Sequence, residues 1–110
     1  MDLESMTIGQ FKELSAAMNQ SKKRAVPFKV GDKLFIRTVT LYYTGEVKEI
    51  IGSWIVLKNA AWIADTGRFH DFLTTGKCNE YEGFPLDVKI PMDSVIDITE
   101  WSHKLFEGQK

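Results

Sequence analysis

Residues 34–63 read LFIRTVTLYYTGEVKEIIGSWIVLKNAAWI, and this stretch decides the fold. It is rich in β-branched and aromatic residues, which favour strands. Two glycine-containing breaks, at 44–45 and 52–53, divide it into pieces of strand length. The pieces predict a three-stranded antiparallel meander with strands at about 33–40, 42–51 and 54–61.

The second break predicts a tight hairpin. Gly52 and Ser53 stand between the apolar runs 47–51 and 54–57. Glycine at the first central position is what a two-residue type II′ turn requires, because φ is positive there. In the first strand, alternation predicts one face with Phe35, Arg37 and Val39, and an opposite face with Leu34, Ile36, Thr38 and Thr40.

Helical signals flank the meander. Thr7 and Gln10 match a capping box, and apolar residues follow at helical spacing, which predicts a helix over about 8–20. After the meander, Asp65 or Thr66 is the predicted N-cap of a short helix that Gly76 ends. The apolar face of that helix consists of Phe69, Phe72 and Leu73.

The rest of the chain adds little regular structure. Two short strands are predicted at 88–91 and 95–99, and residues 78–87 form an acidic loop. The tail from 101 to 110 is expected to be anchored at most by Trp101, Leu105 and Phe106. No repeat or second domain is evident, so residues 1–110 are predicted to form a single domain.

Composition narrows the class of protein. Apolar residues make up 44% and charged residues 26% of the chain, as in ordinary globular domains. No apolar run reaches the roughly 18 residues of a membrane helix, so no membrane partner is expected. The N-terminus lacks signal-peptide features, which predicts a cytoplasmic protein. Cys78 is the single cysteine, too few for an internal disulfide or a zinc site.

The charge is unevenly distributed. Residues 1–40 carry seven Lys or Arg against four Asp or Glu, whereas residues 41–110 carry seven against eleven. The net charge of −1 is unlike the strongly basic balance of a dedicated nucleic-acid binder. Any such role therefore depends on a local patch. The basic run 22–24 lies in a connector, where a charge run is usually solvated.

Two stretches follow a known pattern. The first has Gly45, an apolar alternation, a tight turn, an apolar pair at 56–57 and Ala60; the second, residues 88–98, reads VKIPMDSVIDI. On these stretches the chain resembles the Sm/LSm family. The resemblance implies a mostly β fold, an Sm-like (SH3-like) five-stranded bent antiparallel barrel over about 33–99. It further implies an N-terminal α-helix and a short helix in a long insert, about 62–87, between strands three and four.

The resemblance also implies partners. Outer strands of neighbouring Sm-like subunits pair, so we expect a homo-oligomeric ring. Family members that bind uridine-rich RNA have Asp and Asn in the first motif's loop and Arg-Gly in the second. The nearest positions here hold Ile51, Trp54, Pro91 and Met92, so the usual base pocket does not carry over. Residues 61–69, AWIADTGRF, resemble small proteins of tailed bacteriophages, which implies a phage accessory factor in a bacterial host cell.

The candidate ligand contacts combine charge with a stacking face. Thr66, Gly67 and Arg68 at a helix start offer a hydroxyl, backbone N–H groups and a guanidinium, which suit a phosphate or carboxylate. The alternative is that Asp65 caps its own helix and Arg68 pairs with an acidic neighbour. Trp54 can stack on bases beside the positive charge of Arg37.

No catalytic constellation is evident. His70 and His103 are 33 residues apart with no nearby cysteine, so no metal site is predicted, and no nucleophile has a base at suggestive spacing. We therefore expect neither enzyme activity nor a cofactor. Three function classes remain, and an enzyme ranks last of them. The other two are as follows. The chain is a ring protein that binds single-stranded nucleic acid or a small nucleotide, or it is a protein-interaction or assembly module without a nucleotide ligand.

Overall fold

The computed structural model describes residues 26–110, so the predicted helix at about 8–20 and the basic run 22–24 lie outside the described residues. A 3-10 turn, Met92–Ser94, precedes the last strand. The elements are β1 (Lys33–Thr38), β2 (Tyr42–Ile51), β3 (Trp54–Asp65), α1 (Phe69–Thr75), β4 (Glu80–Gly83), β5 (Val88–Pro91) and β6 (Val95–Glu100).

The six strands form one antiparallel sheet. Along its main path the order is β4-β3-β2-β1-β6, and β5 pairs with β3 as well. The β5 strand lies beside the first third of β3, from Trp54 to Leu57, and β4 lies beside its end, from Ala61 to Asp65. The mostly β, antiparallel fold is thus confirmed. Within residues 26–110 no ladder joins β5 to β6, so the sheet is not closed.

The predicted hairpin is confirmed. Ile51 lies opposite Trp54, with Gly52 and Ser53 as the two loop residues. Gly52 has a φ of 55°, whereas Ser53 is not among the described residues with positive φ. That combination of signs fits a type II′ turn.

Two boundaries differ from the sequence prediction. The β3 strand continues to Asp65, four residues beyond the predicted end, because β4 pairs with it there. The predicted acidic loop therefore contains a sixth strand. The helix begins at Phe69 with Arg68 as its N-cap and no side-chain cap, so the prediction of Asp65 or Thr66 as N-cap is wrong. Its end at Gly76, with φ of 74°, is confirmed.

Both faces of the central strands are buried. Leu34 and Ile36 of β1 belong to one apolar cluster, while Phe35 between them belongs to another. The alternation predicted for β1 is therefore correct. Its two faces pack into two different apolar cores, so neither of them faces solvent. We call the first the inner core; its buried members are Phe28, Leu34, Ile36, Val47, Ile55, Leu57, Ala60 and Ile90.

The second cluster, here the outer core, is aromatic. The Phe72 ring of α1 lies 5.0 Å from the Phe35 ring and 4.9 Å from the Trp101 ring, measured between centroids. Phe106 lies farther along the tail and stacks 4.6 Å from Tyr81 of β4. The helix and the tail thus cover a sheet face that would otherwise be exposed to solvent.

A β-bulge interrupts the ladder between β2 and β3, and a bulge bends the strand that carries it. One extra residue of β3 lies opposite Gly45, and Asn59 in this bulge has a φ of 51°. A β-carbon at Gly45 would lie 3.0 Å from Cδ1 of Leu57, closer than neighbouring side chains pack. Glycine at this position therefore lets the two strands approach at the bend.

The hairpin makes a first prediction. A β-carbon at Gly52 would meet no atom within 4 Å, so Gly52→Val adds backbone strain and no clash. We expect a loss of at least about 1 kcal/mol in the free energy of unfolding, measured by urea titration. Ser53→Val is the matched control, since φ at that position is not positive. Equal stability of the two variants would contradict the turn assignment.

Two buried threonines make a second prediction. The Thr44 hydroxyl is fully buried and has no hydrogen-bond partner within the described part of the chain. The Thr38 hydroxyl donates to the Leu41 carbonyl at 2.8 Å and accepts from its N–H at 3.0 Å. We expect Thr44→Val to raise the free energy of unfolding by about 1 kcal/mol and Thr38→Val to lower it by about 1–3 kcal/mol. If Thr44→Val destabilises the protein as much as Thr38→Val does, the prediction that the two hydroxyls differ is refuted.

Candidate functional site

The predicted ligand residues fall into two separate groups. Trp54 begins β3, whereas residues 66–68 follow its last residue, and about 36 Å of extended strand lies between them. Arg37 belongs to the second group, because its guanidinium packs over the ring of Phe69 at the start of α1. The structure thus brings Arg37 towards α1 and leaves Trp54 apart.

Arg37 already has an ion-pair partner within the chain. Its Nε donates to Oδ1 of Asp97 at 2.8 Å, and a second contact joins Nη2 to the other carboxylate oxygen. The guanidinium carbon also lies 5.2 Å from the ring centroid of Phe69 and 5.9 Å from that of Tyr42. A ligand anion would have to displace Asp97 to reach this charge.

The ion pair perturbs both partners. Hydrogen bonding from Arg37 holds the pKa of Asp97 below its usual range, and hydrogen bonding to Asp97 raises the pKa of Arg37. The pair is therefore fully charged at neutral pH. Both side chains are about one-third exposed, so water screens the pair and its contribution to stability is small.

Two donors of residues 66–68 are satisfied within the turn itself. The Thr66 hydroxyl donates to the carbonyl of Gly67 at 2.8 Å. The N–H of Gly67 donates to Oδ1 of Asp65, also at 2.8 Å. Asp65 therefore closes the turn before α1 instead of capping the helix. Arg68 is exposed and takes part in none of the ion pairs found in residues 26–110.

A different arrangement surrounds Trp54. Ile51 of β2, Trp54 of β3 and Pro91 of β5 lie side by side across three strands, and we call them the tip row. Trp54 is 46% exposed and Ile51 52% exposed. The N–H of Met92 donates to the carbonyl of Ser53 at 2.7 Å, which ties the 3-10 turn to the hairpin. The tip row is therefore an apolar surface carried by three hydrogen-bonded strands.

The next row along the same face adds charge. Glu49, Val56 and Lys89 occupy equivalent positions on β2, β3 and β5. Lys89 is exposed, and within the described chain it has no ion-pair partner. Its position near Trp54 depends on the pairing of β5 with β3, so no local sequence pattern indicates it.

The remaining polar residues do not form a reactive group. The Nε2 atom of His103 lies 2.7 Å from the carbonyl oxygen of Leu73, and its ring packs on Trp101, so this histidine supports the outer core. His70 is exposed on α1. Residues 26–110 contain no cluster of three or more His, Cys, Asp or Glu side chains with the arrangement of a metal site.

The chain matches no protein-family model, no curated protein and no solved structure. Its function is therefore inferred from the geometry of the surfaces above. Of the helices formed by residues 26–110, none has the length and apolar character needed to cross a bilayer.

Proposed function

We propose that the chain is a non-enzymatic, Sm-like subunit of a homo-oligomeric ring whose tip rows bind single-stranded nucleic acid or a nucleotide. The observation that carries the proposal is a pair of sheet edges: in residues 26–110, no strand covers the outer edge of β5 or of β6. The resemblance of residues 61–69 extends the proposal to an accessory factor of a tailed bacteriophage.

The strand order supports the Sm-like part of the proposal. The meander β1-β2-β3 is followed by two short strands joined through a 3-10 turn. Of these, β5 pairs with β3 and β6 pairs with β1, so the two strands lie at opposite sides of the meander. A neighbouring copy can pair its β6 with β5 of the first, and repetition of this contact closes a ring.

The β5 edge can accept a strand. The Met92–Ser53 hydrogen bond fixes the alternation of the ladder, so the backbone groups of Val88 and Ile90 face β3 while those of Lys89 and Pro91 face outwards. Proline has no N–H. The outward donor within β5 is therefore the N–H of Lys89.

The β6 edge carries an apolar side chain that suits burial in an interface. Ile96 is 62% exposed and bulges from the ladder between β1 and β6. Uncovered sheet edges invite association, and pairing within a closed ring removes them.

Assembly makes a third prediction. Wild-type protein at micromolar concentration should elute as a ring in size-exclusion chromatography with light scattering. Lys89→Pro removes the outward N–H and should shift the protein to monomer, whereas Lys89→Ala removes the same side chain, keeps the N–H and should remain oligomeric. Circular dichroism checks that both variants are folded. A monomeric wild-type protein would refute the ring.

The tip row supports the ligand part of the proposal. Bases of any identity can stack on an exposed indole, and Lys89 on the same face can attract a phosphate. The attraction for phosphate is limited, because Glu49 in the next row is negatively charged and Arg37 is already paired with Asp97. A ring repeats this weak contact once per subunit, which raises the overall affinity through effective concentration.

Ligand binding makes a fourth prediction. Labelled single-stranded RNA and DNA and cyclic nucleotides are titrated at low and physiological salt, and affinity should fall with salt and show little base preference. Trp54→Ala should weaken binding about fivefold or more, since stacking on one base contributes about 1–3 kcal/mol, while Trp54→Phe should retain most of the affinity.

Arg68→Ala tests the second group of predicted residues in the same assay. If neither Trp54→Ala nor Arg68→Ala changes the affinity, both residue assignments are contradicted. If no ligand binds even at low salt, the chain is better described as an assembly or protein-interaction module without a nucleotide.

A further inference from the structure

We infer that the open side of the inner core is a docking surface for the chain's own N-terminal segment, residues 8–20. The sequence of this segment predicts a helix with one apolar stripe, and such a stripe needs a surface to cover. The inference rests neither on the ring nor on the nucleotide ligand, because the surface differs from the strand edges and from the tip row.

The inner core is not fully enclosed by the strands around it. Five apolar side chains pack against its buried members and are themselves only half-buried. We call them the inner rim: Ile50, Val88, Met92, Val95 and Ile98. Four of the five belong to residues 88–98, and within residues 26–110 no ladder joins β5 to β6 in that stretch. The inner core is therefore left with an apolar surface that lies open.

The N-terminal segment requires an apolar partner. Its predicted stripe consists of Ile8, Phe11, Leu14, Ser15 and Met18. An isolated helix of about 12–15 residues is marginal in water, so its stability has to come from packing of the apolar face. The outer core cannot supply the partner surface, because α1 and the tail already cover it.

The chain leads from the segment to the inner rim. Val26, the first described residue, is half-buried and packs on the inner core. The connector between Gln20 and Val26 spans at most about 20 Å when fully extended. A helix over 8–20 is itself about 20 Å long, so its stripe can lie along the inner core without any rearrangement of the sheet.

The tip row is less suited to the stripe because it faces the other way. Ile50 packs on the inner core, and side chains alternate along a strand, so Ile51 of the tip row points to the opposite face. Val26 lies on the inner-core side. The segment therefore approaches the sheet on the side of the inner rim.

Charge favours the same placement. The basic run 22–24 lies within four residues of Val26. Glu49 and Asp93 are exposed, and each is next in sequence to a residue of the inner rim. Neither takes part in the ion pairs found in residues 26–110, so both can attract the basic run.

A nitroxide label tests the docking in the full-length chain. Glu13 lies opposite the stripe at the helical period, so Glu13→Cys carries the label on the outward side of the docked helix. Cys78 is buried and stays unlabelled. We expect the nitroxide to weaken the methyl NMR signals of the inner rim several-fold more than those of Leu73 and Leu105, which pack on the outer core. Reduction of the nitroxide should restore them.

A charge placed in the stripe supplies the matched comparison. Phe11→Asp, added to the labelled chain, should abolish the selective loss at the inner rim. Ala16→Asp adds the same charge on the outward side of the helix and should preserve the loss. Amide spectra of residues 26–110 check that the sheet is folded in every variant. If Phe11→Asp and Ala16→Asp give the same loss, the stripe does not mediate docking and the inference is refuted.

A mixture decides whether the segment docks on its own subunit. Isotope-labelled chains without nitroxide are mixed with nitroxide-labelled chains of natural isotope content. Selective loss at the inner rim in this mixture would mean that the segment of a second copy occupies the surface, which refutes docking within one chain. If neither sample shows the loss, the surface is not covered by the segment and the inference is refuted as well.

Discussion

The fold depends on the pairing of one strand, β3, with three others. Its twelve residues pair with β2 along one edge, and with β5 and β4 in succession along the other. A β-bulge interrupts its ladder with β2, and a bulge bends the strand that carries it. The bulge at Asn59 and the missing side chain of Gly45 permit that bend, and the hairpin at Gly52 sets its register with β2. The positions of the tip row and of the tail both follow from this strand.

Burial on both faces of the sheet explains why the charge of Arg37 is already paired. The outer face of β1 is covered by α1 and the tail, so Arg37 lies at the border of an aromatic core instead of on an open surface. A charge in that position needs a partner, and Asp97 supplies it. Trp54 at the hairpin tip, by contrast, is 46% exposed and belongs to neither core.

The edges of the sheet are explained by one physical requirement. Backbone groups at a sheet edge must be paired or hydrated, and a strand from an identical copy is a partner that is always present. The β5 and β6 edges are open within residues 26–110, whereas the β4 edge is covered by the tail. The ring proposed above covers the first two edges by pairing between copies.

The sequence by itself determined the features that depend on residues adjacent in the chain. The type II′ turn, the bounds of β2 and β5, and the end of α1 at Gly76 follow from local backbone preferences, and the structure has them where the sequence placed them. Only the tertiary structure decided β4, the ladder of the tail and the pairing of Arg37 with Asp97, 60 residues away. The short acidic segment 80–83 has no strand signal of its own and becomes a strand because β3 and the tail satisfy its backbone. No local pattern reports such partners, because they are set by how the bent β3 brings distant segments together.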